Sequence, residues 1–251
     1  MNPQVFTWAD RPDLAERFDE MDDPWPEFIH HGETMNRHWS VMRERFSEFQ
    51  VVLHDADSDA ILGRGQTIPV AWDGTVEGLP GGVDDAVERE GAGATTLCAI
   101  VAVVDGNVRG SGLSGHVIRG MAAAAQAGGL DALIAPVRPT LKPRYPLTPM
   151  ERYAAWRRGD GLPFDPWLRL HERLGARFLA VAPRSLTVAG TIAEWEGWTE
   201  MAFPDSGDYV VEGALVPVTI DRDADTGVYV EPNVWMLHEV GPEKSVGSRM
   251  A

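Results

Sequence analysis

The residues best equipped for chemistry stand together at Arg109-Gly110-Ser111-Gly112-Leu113-Ser114-Gly115. An apolar run ends just before them at Val104, a turn follows at Asp105-Gly106-Asn107, and the stretch behind them reads as a helix. The order is therefore strand, glycine-rich turn, helix. Gly110, Gly112 and Gly115 let the backbone turn tightly and approach a ligand with no Cβ in the way. The first N–H groups of the helix lack partners inside it, and the helix dipole makes that end partly positive. Phosphate or pyrophosphate suits such a turn, although a turn that only permits close packing would use the same residues. A P-loop would need Gly-Lys-Ser/Thr, which is missing, whereas Gly110, Gly112 and Gly115 do satisfy the dinucleotide spacing Gly-x-Gly-x-x-Gly.

Other reactive side chains are scattered. The single cysteine, Cys98, cannot form an internal disulfide and lies inside the apolar run 97–104, where a core thiol is the expected role. His30-His31 is a tandem pair that a strand would point to opposite faces, and no Cys-x-x-Cys or His-x-x-x-His spacing supports a metal site. The aspartates of 221–227 lack the glycine and glutamate of a calcium loop and read as a solvated turn. Arg138, Lys142, Arg144, Arg152, Arg157 and Arg158 form a basic cluster in a Pro-rich stretch, 138–164, that reads as an insertion. It suits either an anionic partner or a solvated surface.

The elements that must position these residues follow from periodicity. A short strand at 5–8 precedes a helix capped by Asp10, with Pro12 in its first turn and Leu14, Phe18 and Met21 on one face. Asp22-Asp23-Pro24-Trp25-Pro26 breaks it, and Met35, Trp39, Met42, Phe46 and Phe49 mark a second helix over 33–48. Pro24, Trp25, Pro26, Phe28 and Ile29 form a mobile lip between the two helices. A hairpin pairs 49–53 with 61–71, and a long connection with one helical turn at 84–89 leads to a central strand, 95–104. The helix 113–127 stops at Gly128-Gly129, and 132–137 is a buried strand parallel to the central one. Thr148-Pro149-Met150-Glu151 reads as a capping box opening a helix to Arg158, and Asp165-Pro166 opens another. A strand at 178–182 continues through 186–189, a short helix covers 191–199, and 209–220 pairs with 228–237 as a hairpin. These make one domain, 1–238, followed by a loose tail, 239–251.

With 251 residues the chain can bury a large core, and its net charge of −16 opposes nucleic acid and anionic membrane. No apolar run is long enough to span a bilayer and the N-terminus does not resemble a signal peptide, so a cytoplasmic location is expected.

Arg109 to Ser114 resembles the Arg-x-x-Gly-x-Gly/Ala pyrophosphate loop of the GNAT acyltransferase superfamily, with Ser114 in the last motif position. Trp167 to Ala176 resembles the Phe-Tyr-x-x-Leu-Gly-Phe segment near the end of GNAT domains, most closely at Leu174-Gly175. The resemblance implies an α/β (α+β) fold: a mixed, mostly antiparallel sheet splayed between two parallel strands, flanked by helices, with residues 1–49 on the acceptor side. It implies acetyl-CoA or another acyl-CoA as donor, held by Arg109, Gly110, Ser111, Gly112, Leu113, Ser114 and Gly115, with the backbone of Val101, Val103 and Val104 along the pantetheine arm. It places His171 where the family usually has the tyrosine that protonates the departing thiolate. On periodicity alone His171 shares a helical side with Trp167, Leu168 and Leu174, which also suits a structural histidine. A general base is harder to find, because the central strand carries no acid; Glu33, His30, His31 and Asp55 are the candidates by position.

The expected function is acyl-CoA dependent N-acyl transfer to the amine of a small-molecule acceptor, without a metal. Open alternatives are a non-catalytic acyl-CoA sensor, a donor thioester on an acyl carrier protein, and assembly as a homodimer.

Overall fold

The computed structural model describes residues 1–17, 20–21, 25–91, 93–108 and 110–240. The elements run β1 (Pro3–Thr7), α1 (Pro12–Glu16), a 3-10 turn (Glu27–His31), α2 (Glu33–Arg45), β2 (Val51–Asp55), β3 (Ala60–Val70), α3 (Val83–Glu88) and β4 (Thr96–Val104). They continue α4 (Ser114–Ala127), β5 (Ala132–Val137), α5 (Met150–Ala154), α6 (Pro166–Arg173), β6 (Arg177–Gly190), α7 (Ile192–Thr199), β7 (Gly207–Tyr209), β8 (Val218–Asp221) and β9 (Thr226–Glu239).

The nine strands of the described residues join one sheet in the order β1-β2-β3-β4-β5-β9-β8-β7, with β6 also on β9. The long β9 carries β6 along one edge, while β5 takes the second half of its other edge and β8 the first few residues. Every pairing among the described residues is antiparallel except β4 with β5. That parallel pair covers only Thr96↔Ala132, Leu97↔Leu133 and Cys98↔Ile134. The mixed, splayed sheet expected from the sequence is the sheet observed.

One local feature helps to open the splay. In the β3–β4 register Gln66 faces Val101 and Thr67 faces Ala99, which leaves Ile100 as an extra residue on β4. A bulge of this kind bends the strand that carries it and interrupts the ladder. Just past Cys98, then, β4 parts from β5.

Side-chain alternation assigns the two faces of the sheet. A Cβ on Gly65 would come within 2.8 Å of Met121 Sδ and 3.1 Å of Val117 Cγ1, so α4 lies directly against that face of β3. Arg64 and Gln66 point to the opposite face. The main core fills the layers around β2 to β5 and β9, with Leu97, Cys98, Val117, Met121, Ile134, Met150, Tyr153 and Trp235 buried within it. A second cluster holds Phe28, Val188, Trp195, Phe203 and Tyr229, and a third gathers Trp8, Leu14, Met21, Val52 and Val103. Large side chains such as Trp195 and Trp235 each bury enough apolar area to be worth a few kcal/mol, about 25 cal/mol per Å².

Several sequence expectations shift. Asp10 bonds Thr7 through both its Oγ1 and its N–H and does not cap α1, which starts after Arg11 and has only five residues; Phe18 and 22–24 lie outside the described residues. Thr148 caps nothing: α5 begins after Pro149 with no side-chain cap and ends at Ala154. Asp165 does cap α6, accepting from the N–H groups of Trp167 and Leu168, and Thr191 with Glu194 forms a capping box on α7. The hairpin strand expected over 209–220 is short, because Gly213 turns with φ +82° and β8 starts only at Val218, just past Pro217. At the other end β9 runs through Glu239 and Val240 is buried, while residues 241–251 lie outside the described residues.

Candidate active site

Where β4 and β5 part, a cavity of about 690 Å³ passes through the plane of the sheet. Ala99 to Ala102 of β4 form one wall and Ala135 to Val137 of β5 the other. On the α4 side it is closed by Met121, Trp167 and His171, and on the α2 side by Trp25, Ile29, Met35 and Trp39. The edge of β4 that faces β5 has no strand partner after Cys98, so peptide groups there are available to an extended ligand lying in the gap. Of the three valines expected beside such a ligand, Val101 lines the cavity, whereas Val103 and Val104 are buried in hydrophobic clusters.

The glycine turn joins the C-terminal end of β4 to α4. Gly110 and Gly112 have φ of +81° and +83°, which glycine alone adopts without strain, and a Cβ on either would meet nothing within 4 Å. The backbone is therefore bare on that side. Ser111 Oγ donates to Val108 O, Leu113 is buried in the core, and α4 starts at Ser114 with no side-chain cap and no acid in its first turn. Gly115 is already within the helix. An uncapped 14-residue helix behind an exposed glycine backbone fits a pyrophosphate, and the splay fits the arm that follows it. Arg109 lies outside the described residues.

His171, on α6, is 2% exposed and belongs to the cavity wall. The edge of its ring meets Trp167, with centroids 4.8 Å apart at 84°. Its Nδ1 is 2.9 Å from Nε2 of His238 on β9, while its own Nε2 is buried without a hydrogen bond. Burial, with His238 adding to it, pushes the His171 pKa down to about 3, and burial alone takes His238 to about 4. Both rings are neutral at pH 7.

The cavity wall also carries a buried polar network that the sequence did not announce. Arg138 Nε donates to both carboxylate oxygens of Glu231, at 3.1 and 2.9 Å, and Nη2 donates to Gly213 O at 2.6 Å. Glu231 also accepts from Tyr229 Oη at 2.8 Å and Asn233 Nδ2 at 3.0 Å. Arg138 lies 5.4 Å from the ring centre of Trp25. Burial together with the Glu231 carboxylate holds the Tyr229 hydroxyl well above its ordinary pKa. Arg138, Glu231 and Asn233 all line the cavity.

This placement breaks up the basic cluster read from 138–164. Arg138 is committed to Glu231, and fully buried Lys142 donates to the carbonyls of Tyr145 and Leu215. Arg157 pairs with Glu172 and Arg158 with Asp160, leaving only Arg144 and Arg152 as exposed members with no pairing here. Phe28 is likewise no part of a lip, because it is buried against Trp195 and Tyr229. Among the base candidates, Glu33 is exposed on the first turn of α2 and outside the cavity wall. His31 stacks on Trp198 at 4.2 Å, and Asp55 accepts from Asn2 N and Ser58 Oγ in the β2–β3 turn. Only His30 reaches the cavity. Cys98 is fully buried and its thiol pKa is pushed up by burial, as suits a core residue.

No family model matches the chain. Over 271 aligned residues it is 31% identical to the arginine N-acetyltransferase avaD of Aspergillus versicolor, with 93% of each chain covered. The chain belongs to the GNAT acyltransferase superfamily. Two solved structures share the fold of this GNAT acyltransferase. One is the loading GNATL domain of CurA from Lyngbya majuscula, with TM-score 0.55, 16% identity, and 96% of this chain and 98% of that one covered. The other is the GphF GNAT-like decarboxylase in complex with isobutyryl-CoA, with TM-score 0.56, 17% identity, and 96% and 100% covered.

The neutral histidine pair gives this GNAT domain a measurable acid lability. Unfolded imidazoles titrate near 6.5, well above the folded values of about 3 and about 4. Between those limits the unfolded chain binds more protons, so stability is lost as the pH falls. Asp84 acts in the opposite sense, because burial raises its carboxyl to about 6 and its contribution fades as the pH rises toward that value. Taken alone, two imidazoles against one carboxyl contribute a loss of about 1.4 kcal/mol per pH unit between roughly pH 6 and 4, to which exposed carboxylates held below their usual range, such as Asp59 beside His54 and Arg17, add as the pH nears 4. Urea unfolding at a series of pH values should show that slope, and His238→Gln should flatten it.

Proposed function

We propose that the protein transfers an acetyl group from acetyl-CoA to the amine of a small cationic amino acid of the arginine type. The observation that carries the reading is the single cavity running through the splayed sheet, joining the donor side at His171 to an aromatic, charged acceptor side at Trp39 and Glu231. Its volume is that of a small-molecule site. Trp25 and Trp39 line the cavity, the chain's net charge of −16 favours a cationic acceptor, and the relative from Aspergillus versicolor is named for arginine.

The donor brings an activated acyl group, and the chain contributes orientation, exclusion of water and a proton. The glycine turn and α4 anchor the pyrophosphate, the unpaired edge of β4 aligns the pantetheine arm, and peptide donors around the bulge at Ile100 polarise the thioester carbonyl. The acceptor amine enters from the α2 side. Glu231, already satisfied by three side chains, shapes the acceptor floor and does not act as a base. His171 supplies the thiolate with its proton.

Incubating the protein with acetyl-CoA and a panel of arginine, agmatine, lysine and neutral amines, and following thiol release, tests this directly. Turnover highest with arginine-like acceptors is expected; tight CoA binding with no turnover across the panel overturns it in favour of a sensor. Trp39→Ala should raise the KM for the cationic acceptor about tenfold, the equivalent of a 1.4 kcal/mol cation–π contact, while leaving the KM for acetyl-CoA within twofold.

A further inference from the structure

Beyond the active-site cavity lies a second, smaller one of about 350 Å³, walled by Ile118, Arg119 and Ala122 of α4, Leu174 and Gly175 after α6, and Arg177 with Leu237 to Glu239 at the sheet. Arg119, Gly175, Arg177 and Glu239 are exposed, so this cavity meets solvent. The two cavities share no lining residue. Between them stands the pair of imidazoles, His171 in the wall of the first and His238 in the wall of the second, joined Nδ1 to Nε2 at 2.9 Å.

A neutral imidazole has one donor and one acceptor nitrogen. The bond between the rings uses one nitrogen of each, which leaves His171 Nε2 and His238 Nδ1 as the two ends of the pair. The first end is buried with no protein partner, as expected of an atom whose partner is a substrate group. The second belongs to a ring on the other cavity.

We propose that His238 is a positioning residue that connects His171 to solvent through the second cavity, so that the proton His171 gives up is replaced from behind. The proposal rests on the acyl-transfer reading above. As the acceptor nitrogen bonds the acyl carbon and the carbon–sulfur bond breaks, the proton on His171 Nε2 passes to sulfur. His171 Nδ1 takes the proton from His238 Nε2, and His238 Nδ1 takes one from a solvent-borne acid in the second cavity. Both rings begin and end neutral, with their tautomers reversed. The next acceptor ammonium resets them by giving a proton to His171 Nε2, which drives the shift outward. Its second proton leaves to water through the acceptor mouth, so an ammonium acceptor releases one proton per turnover.

The surroundings favour a neutral shift over formation of an imidazolium. Trp167 faces His171, and Arg119 of α4 and Arg177 of β6 face His238's cavity as cations, with Glu239 of β9 the one acid lining it. A neutral imidazole taken alone is a feeble acid, yet it can serve in an active site when its surroundings hold it in that form. Replacement of the proton as it leaves makes the transfer complete.

His238→Ala empties the outer half of the pair into a cavity open to small molecules. With wild-type turnover measured first, the variant should lose kcat roughly 10²-fold, at the low end of general-acid effects, while its calorimetric Kd for CoA stays within twofold. Free imidazole added at tens of millimolar should restore kcat about tenfold, at the concentration scale of a weak small-molecule site. Wild-type kcat in the variant, or a loss that imidazole does not restore, overturns the relay and leaves the acyl-transfer reading standing. A wild type that binds CoA but turns over no amine removes both. Independently of turnover, nitrogen-15 spectra of the histidines should show both rings neutral from pH 5 to 8 and a tautomer change at His171 on CoA binding; an imidazolium at either ring in that range overturns the proposal.

Discussion

Glu231→Gln should lower the stability of the folded protein by about 3–5 kcal/mol, because it leaves the Arg138 guanidinium buried without its counter-charge. Glu231 is 2% exposed and, among the described residues, its carboxylate is the anion that pairs with Arg138. A glutamine of the same shape keeps one acceptor oxygen but turns the other into a donor facing Arg138 or Tyr229 Oη, so a hydrogen bond is lost along with the charge. For a chain of 251 residues the loss corresponds to a fall in Tm on the order of 10 °C. Arg138→Met should do similar harm through the stranded carboxylate. Combining the two should cost clearly less than their sum, since a buried pair is worth little net once both charges are gone. Calorimetry on the four proteins checks this, and strictly additive losses would refute a direct coupling. Because both residues line the cavity, the surviving fraction of Glu231→Gln should also show a raised acceptor KM and an unchanged donor KM.

Sequence legibility followed the range of the forces involved. The central strand, the helix after the glycine turn and β5 were plain, because apolar runs such as 95–104 and 132–137 are dictated by burial of their own residues. Asp165 was readable as a cap because its partners, Trp167 and Leu168, are two and three residues away. The glycine turn was readable because Gly110 and Gly112 take positive φ for local reasons. What stayed hidden depends on partners remote in the chain. Arg138 and Glu231 are 93 residues apart, and His171 and His238 are 67 apart, so Arg138 read as one member of a basic cluster and His238 fell just past the strand expected over 228–237. The bulge at Ile100 has no sequence mark either, since it arises from the register β4 adopts against β3. Glu33 illustrates the converse case: position in the chain made it a candidate base, but it is exposed on the first turn of α2 and is not part of the cavity wall.

The sharpest kinetic consequence belongs to His171. His171→Gln should lower kcat about 10²- to 10³-fold, within the range of a lost general acid, with the Kd for CoA changed less than twofold. Glutamine can donate a hydrogen bond at the same place, but it cannot release a proton and take another on its far side. The wild-type kcat should show no imidazole ionisation between pH 5 and 9, because burial holds the His171 pKa at about 3 and the active form is the neutral ring. A bell with a limb near pH 6.5 would instead mean that the ring charges freely, and the role assigned to it would fall. His171→Tyr separates proton donation from packing. A tyrosine hydroxyl can give a proton, as the family's usual residue does, yet it cannot reach back to His238 in the way Nδ1 does. Its turnover should therefore lie between wild type and His171→Gln, and it should lose the dependence on His238 that the wild type shows. If His171→Gln retained full turnover, the unpartnered Nε2 would have to be a packing feature of α6, and the source of the thiol proton would lie elsewhere along the cavity.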